Sequence, residues 1–185
     1  MNLLAITGSP RKKSFSTMLH HEFLKPFAGR GFKINIINAY DAAVHPCTAC
    51  GKCSAGPNCI FNDDMTVIYN LIRDADIVSI SSPLYFSSFP APLKSIIDRC
   101  QLLWEEKKRN VVSIKEKKGF FFCSAGSDYN EIFTSVLTVS RHFFNSINTS
   151  FDINEAVLVS NCDITGKISA EILEKCRMLA IKYSD

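Results

Sequence analysis

Four cysteines, Cys47, Cys50, Cys53 and Cys59, stand close together with the spacing C-x2-C-x2-C-x5-C. Thiolates at intervals of three can converge on one compact inorganic core, and bacterial ferredoxins open with the same C-x2-C-x2-C run. Structural zinc more often takes two C-x2-C pairs separated by a dozen or more residues, and pairs this crowded would be strained around one tetrahedral ion. Gly51 and Gly56 allow the loop its turns, while Pro46 and Pro57 stiffen it. The spacing favours a [4Fe–4S] cluster, with zinc or a set of reduced thiols as the alternatives. Cys100, Cys123, Cys162 and Cys176 lie on apolar stripes or in turns and read as small buried hydrophobes.

A second constellation is Thr7-Gly8-Ser9-Pro10-Arg11-Lys12-Lys13-Ser14-Phe15-Ser16-Thr17, which runs from an apolar segment into an amphipathic one. Hydroxyls, basic side chains and the N–H groups of a helix start make an anion site. Neither Gly-x4-Gly-Lys-Ser/Thr nor Gly-x-Gly-x-x-Gly is present. A polar turn with capping serines would use the same residues; the position after the first buried strand favours phosphate. A third segment, residues 81–92, carries Pro83, Leu84, Tyr85 and Phe86 in a long connection. Such an apolar and aromatic wall with backbone N–H groups suits a flat, amphipathic isoalloxazine ring, whereas Phe89 reads as subunit-interface packing. Ser124-Ala125-Gly126-Ser127 permits close backbone approach, although an ordinary turn would look the same.

Other polar residues read more plainly. The four histidines show no metal-ligand spacing, and Trp104 reads as a packing residue. Glu105-Glu106-Lys107-Lys108-Arg109 reads as a solvated, self-compensating run, and Asp98 with Arg99 as a structural ion pair. No nucleophilic triad is legible.

Alternating elements must position these residues. Short apolar runs at 3–7, 34–38, 77–81, 119–123 and 156–160 read as strands. Helical stripes lie between them: Leu19, Phe23 and Phe27 within 17–28; Met65, Ile68 and Ile72 behind a capping Asp63; Leu93, Ile96, Ile97, Cys100 and Leu103; Ile132, Val136, Val139 and Phe143; and Leu173, Cys176, Ala180 and Tyr183. The βα alternation with apolar strands predicts a doubly wound α/β sandwich with a buried parallel sheet. Ligands in such folds sit beyond the carboxyl ends of the strands, which is where the loops after strands one, three and four lie.

With 185 residues, 46% hydrophobic and 21% charged, the chain is expected to form one domain over 1–185, with the cysteine loop 46–60 inserted after strand two. A disordered chain, a collagen-like chain and a solenoid of charged helices are excluded. A net charge of +3 without a basic stripe argues against nucleic acid. No window approaches the roughly 20 apolar residues of a membrane span, and the first residues resemble no secretory leader. The expected location is the cytoplasm, where thiols stay reduced and 8 cysteines suggest redox or metal chemistry.

Gly8-Ser9-Pro10-Arg11 with Ser16-Thr17, and Ser82-Pro83-Leu84-Tyr85-Phe86 followed by Leu93-Lys94 and Ile97-Asp98-Arg99, resemble the two flavin loops of the NADPH-dependent FMN reductase family. Pro46-Cys47-Thr48-Ala49-Cys50 through Cys59 and Asp63-Asp64-Met65 resembles that family's iron–sulfur flavoprotein branch. The resemblance implies a flavodoxin-like three-layer α/β sandwich, with a five-stranded parallel sheet of order 2-1-3-4-5 and helices on both faces. It implies FMN, its phosphate held by Ser9, Arg11, Ser16 and Thr17 with Ser14 and Met18 in the same loop, and its ring against Pro83, Leu84, Tyr85 and Phe86. Ser124, Ala125 and Gly126 complete that set, and Cys47, Cys50, Cys53 and Cys59 would hold a [4Fe–4S] cluster. It further implies NAD(P)H as transient co-substrate, a small-molecule acceptor or a redox protein such as ferredoxin as partner, and a homodimer or homotetramer. Phe15 and Ser16 stand where relatives carry Gly and Asn, and Ala125-Gly126 where they often carry two glycines.

Overall fold

Alternation along the strands builds two cores at once. In β1 (Asn2–Thr7), Leu4 and Ile6 enter one core while Leu3 and Ala5 enter the other. β3 (Ile77–Pro83) and β4 (Lys117–Ser124) do the same, with Val78, Ile80, Phe121 and Cys123 on the first face and Ile77, Phe120 and Phe122 on the second. Strands apolar on both faces need helices on both, and the connections supply them. The computed structural model describes residues 1–109 and 115–184.

β2 (Lys33–Asn38) is the edge of the parallel sheet, whose order runs β2-β1-β3-β4. Helices α1 (Phe15–Leu24) and α8 (Ala170–Ser184) pack together, carrying Leu19, Phe23, Cys176 and Ala180 into the second core. The first core takes Ile68 and Ile72 of α3 (Met65–Asp74), Leu93 and Ile96 of α4 (Ala91–Arg99), Leu102 and Leu103 of α5 (Gln101–Arg109), and Val136 and Phe143 of α6 (Thr134–Ser146). A four-residue helical turn, α2 (Lys52–Ala55), lies in the cysteine loop between β2 and α3, and a second, α7 (Cys162–Thr165), precedes α8. No helix among the described residues is long and apolar enough to cross a membrane.

The fold agrees with the expected order 2-1-3-4-5, but the described residues form six strands. The fifth position is shared by β5 (Thr149–Phe151), which pairs with the start of β4, and β6 (Val157–Val159), which pairs with its end. A 3-10 turn at Ile153–Glu155, capped by the Asp152 carboxylate on the Asn154 N–H, separates them. The expected single stripe from Leu93 to Leu103 is two helices meeting at Cys100. The Arg99 carbonyl accepts from the Tyr69 hydroxyl at 2.8 Å, which lets the helix end there without an orphaned acceptor.

Three further expectations are corrected. Phe89 is buried in the first core, edge-on to Phe121 at 5.6 Å, and is not an interface residue. Glu105 and Glu106 are buried rather than solvated: Glu106 takes a two-pronged bond from Arg73 at 2.7 and 3.3 Å, and Glu105 accepts from Gln101 and Lys108. Asp98 does not pair with Arg99; it pairs with Lys94 one turn earlier at 2.6 Å, and Arg99 reaches Asp63. Asp63 does accept from the Met65 N–H at the start of α3, although Asp64 is the capping position.

Candidate functional site

Each loop beyond a carboxyl end is tied to the neighbouring strand. The Gly8 N–H donates to the Ser81 carbonyl at 2.7 Å, the Leu84 N–H to Ser124 at 2.8 Å, and the Ala125 N–H to Val159 at 2.8 Å. These bonds prolong the parallel ladder past β1, β3 and β4 and set three loops side by side. Gly8 is required for this approach, since a Cβ there would lie 2.6 Å from a Leu93 methyl.

The three loops line one cavity of about 340 Å3. Nine of the expected cofactor residues meet there: Ser9, Arg11 and Ser14; Pro83, Leu84 and Tyr85; Ser124, Ala125 and Gly126. Four expected residues lie outside its lining. Ser16 and Thr17 are buried in the first turn of α1, Met18 is exposed on α1, and Phe86 is fully exposed. Sequence reading missed Lys13, Phe15, Cys162 and Asp163 on the wall. The last two follow β6, and only their distance from β4 in sequence hides them: the Cys162 and Asp163 N–H groups donate to the Ala125 and Gly126 carbonyls at 3.0 and 3.1 Å.

The hydroxyls of the first loop bond one another. Ser14 caps α1 by accepting from the Thr17 N–H at 3.2 Å, and its Oγ lies 2.8 Å from Thr17 Oγ1 and 3.2 Å from Ser16 Oγ. Ser9 Oγ accepts from the Arg11 N–H at 3.2 Å, an ST-turn that folds the loop back on itself. Deeper in α1, buried His20 is hydrogen-bonded through Nδ1 to Ser81 Oγ (2.9 Å) and through Nε2 to Ser79 Oγ (2.7 Å). Burial, and then the neighbouring His21, hold the His20 pKa down to about 3, so it is neutral. It fixes α1, and the anion loop before it, against β3.

Tyr85 and Ser88 exchange backbone hydrogen bonds across Phe86 and Ser87, both of which have positive φ (48° and 57°). A tight turn of this kind favours Asn-Gly. With Phe-Ser it is strained, and it holds the Phe86 ring in solvent beside the cavity. Ser87 is tied to the following segment by Tyr129 and Ser135.

The cysteine loop encloses a cavity of its own, about 420 Å3, lined by all four of Cys47, Cys50, Cys53 and Cys59. Cys47 and Cys50 are exposed, while Cys53 and Cys59 are half-buried. Burial, with the nearby Glu105, Cys47 and Cys50, pushes the Cys53 thiol up; its own backbone opposes this only in part. Two arginines anchor the loop. Arg109 donates to the carbonyls of Cys53, Ser54 and Gly56 at 2.5 to 3.3 Å. Arg99, buried, donates through Nη1 to the His45 carbonyl and to Asp63 Oδ2, both at 2.8 Å, and through Nη2 to Asp63 Oδ1 at 3.1 Å. Burial works against the Asp63 carboxylate, but Arg99 and the His45 N–H outweigh it and hold the pKa below the usual range. Among the described residues no three Cys, His, Asp or Glu side chains are grouped closely enough to hold a metal ion. The thiols therefore share a cavity without converging. Four soft sulfur donors beside a buried guanidinium nonetheless suit an anionic, sulfur-rich group in chemistry.

Residues 1–162 match the family described as NADPH-dependent FMN reductase. Over 127 residues the chain is 34% identical to an iron–sulfur flavoprotein of Methanosarcina thermophila, covering 69% of this chain and 64% of that one. An iron–sulfur flavoprotein of Archaeoglobus fulgidus is 32% identical over 99 residues, covering 54% of this chain and 45% of that one. The matches thus span about half to two-thirds of these relatives' lengths. An NAD(P)H:quinone oxidoreductase from Methanothermobacter marburgensis superimposes with a TM-score of 0.65 over 97% of both chains at 17% identity, a likeness of fold.

Proposed function

The chain belongs to the NADPH-dependent FMN reductase family, and we propose that it holds FMN in the three-loop cavity and passes electrons from NAD(P)H to a small acceptor such as a flavin or quinone. The observation that carries this reading is the convergence of Ser9, Arg11, Ser14, Pro83, Leu84, Tyr85 and Ser124 to Gly126 on one wall. FMN supplies the hydride and single-electron chemistry when bound. Arg11, Lys13, the loop hydroxyls and the first turn of α1 offer charge and donors to its phosphate. Ser16, Thr17 and Met18 back that turn, Pro83 to Phe86 offer the ring an apolar wall, and Ala125-Gly126 leaves room for its edge.

The same proposal assigns a [4Fe–4S] cluster to Cys47, Cys50, Cys53 and Cys59. Their spacing, their common cavity and the names of the relatives support it. Metal binding is coupled to folding of the segment that supplies the ligands, so the thiols would draw together on loading. A cluster beside a flavin lets a two-electron donor serve a one-electron partner such as ferredoxin. The protein is further proposed to work in the cytoplasm as a homodimer or homotetramer, with exposed Phe86 at the contact.

The test is anaerobic purification followed by absorbance, flavin, iron and sulfide analysis, and NADH and NADPH oxidation with a quinone or free FMN. Bound FMN with turnover is expected. A protein that takes up no FMN refutes the reading; FMN without turnover leaves an electron carrier. FMN with no iron or sulfide removes the cluster alone.

A further inference from the structure

Arg99 is the one buried cation on the wall of the cysteine cavity among the described residues. Its side chain is 1% exposed. Nη1 and Nη2 are satisfied by Asp63 and the His45 carbonyl, but Nε is buried with no acceptor among the described residues. A buried donor without a partner costs about 1–3 kcal/mol, more when it is charged. Such an atom is tolerated where something else supplies its acceptor.

The surroundings fix Arg99 in place. The Phe61 ring lies 5.0 Å from its guanidinium carbon, and His45 stacks on that same ring at 4.1 Å. The Tyr69 hydroxyl holds the Arg99 carbonyl at 2.8 Å. A two-pronged carboxylate, a ring face and a helix end leave the guanidinium little freedom, and Arg99 stands on the wall of the cysteine cavity with Nε unpartnered among the described residues.

We propose that Arg99 is a positioning residue for the group held by Cys47, Cys50, Cys53 and Cys59: its Nε–H donates to sulfur of the cluster and raises the cluster's reduction potential. The proposal rests on the cluster reading above. Hydrogen bonds to sulfur and local positive charge both favour the reduced, more negative form, and they are the levers by which proteins set such potentials. Asp63 works in the opposite sense. It orients the fork while its charge offsets part of the guanidinium's.

Two variants separate this from a purely structural role. Arg99→Lys keeps a cation for Asp63 but has no Nε–H and no fork. Its one-electron reduction equilibrium should shift about tenfold toward the oxidised form, which corresponds to ~59 mV downward. Asp63→Asn leaves the guanidinium uncompensated and should shift the potential upward. The readout is the midpoint potential of reconstituted protein by anaerobic titration followed by electron paramagnetic resonance, with iron and sulfide counted and thermal unfolding recorded. Loaded variants with unchanged potentials, or shifts of the same sign, overturn the proposal. The wild-type protein supplies a test that no folding defect can spoil. With arginine labelled at Nε with 15N, electron–nuclear double resonance of the reduced protein should show a 15N coupling. An absent coupling overturns the proposal while the cluster reading stands. A wild-type protein that binds no iron or sulfide on reconstitution overturns both.

Discussion

Acid should weaken this fold through one buried side chain. His20 lies in the second core with its ring stacked 5.2 Å from Phe122 and its two nitrogens bonded to Ser79 and Ser81. Burial, helped by His21, sets its pKa at about 3 in the folded protein, against 6.5 for a free histidine. As pH falls below 6.5 the unfolded chain takes up a proton that the folded chain refuses until about 3. The associated stability is therefore complete above pH 6.5 and is lost on the way down. At about 1.36 kcal/mol per unit, the descent from 6.5 to 4 removes about 3 kcal/mol. His20→Gln removes the titration at an initial cost of about 2 kcal/mol from lost hydrogen bonds and packing. Urea unfolding of both proteins from pH 7.5 to 4, at one fixed FMN concentration, gives the difference. Asp63, Asp76 and Glu155, whose pKa values are also held low, titrate in both proteins and cancel. The wild type should lead at pH 7.5 and trail near pH 4. Parallel curves across the range would refute the reasoning.

Three other perturbations have defined outcomes. Gly126→Ala drives a Cβ into the Asp163 carboxylate, so that exposed side chain must swing aside on the cavity wall; FMN affinity by fluorescence quenching should fall about tenfold, with little change in unfolding temperature. Glu106→Ala strips the buried partner from Arg73 and should cost about 2–3 kcal/mol in urea unfolding, less than a fully buried pair because Arg73 is partly solvated. Replacing Phe86-Ser87 by Asn-Gly suits the turn's two positive φ angles and should add about 1 kcal/mol of stability. If Phe86 forms the subunit contact, the same variant should elute as a smaller species on size exclusion.

What the chain spells out locally was legible, and what depends on distant partners was not. β1, β3 and β4 are buried on both faces, so their apolar runs announce them, and the three loops beyond them follow from the topology. β5 is three residues, Thr149-Ser150-Phe151, and exists because β4 offers it a ladder; nothing in so short a run signals a strand. Glu106 looked solvated among four other charges, because its partner Arg73 is remote in sequence and meets it only through the packing of α3 on α5. Arg109 stood in the same run, yet it anchors the cysteine loop. Asp163 reaches the three-loop cavity because β6 lies beside β4. The spacing of the four cysteines put them on one loop, but the two arginines that shape that loop come from α4 and α5.

The placement of α4 gives the two cavities a common support. Leu93, in its first turn, fills the space that Gly8 leaves open in the anion loop, and Asp98 and Arg99, in its last, line the cysteine cavity. Nine residues at 1.5 Å each make a strut of about 13 Å. Pro90 and Pro92 stiffen its start, and Asp63, Phe61 and Tyr69 hold its end. There is no hinge between those two anchors. On the proposed reading, the spacing of flavin and cluster is thus a property of one short helix rather than of two surface loops. The strain tolerated at Phe86-Ser87 and the turns at Ala49 and Gly51 sit outside that strut, in the segments that must adapt when each cavity is filled. Substitutions on the buried face of α4, such as Ile96→Ala, should therefore disturb FMN and iron content together, whereas Gly126→Ala should lower FMN alone. Equal losses of both in the two variants would show that the cavities are not separable in this way.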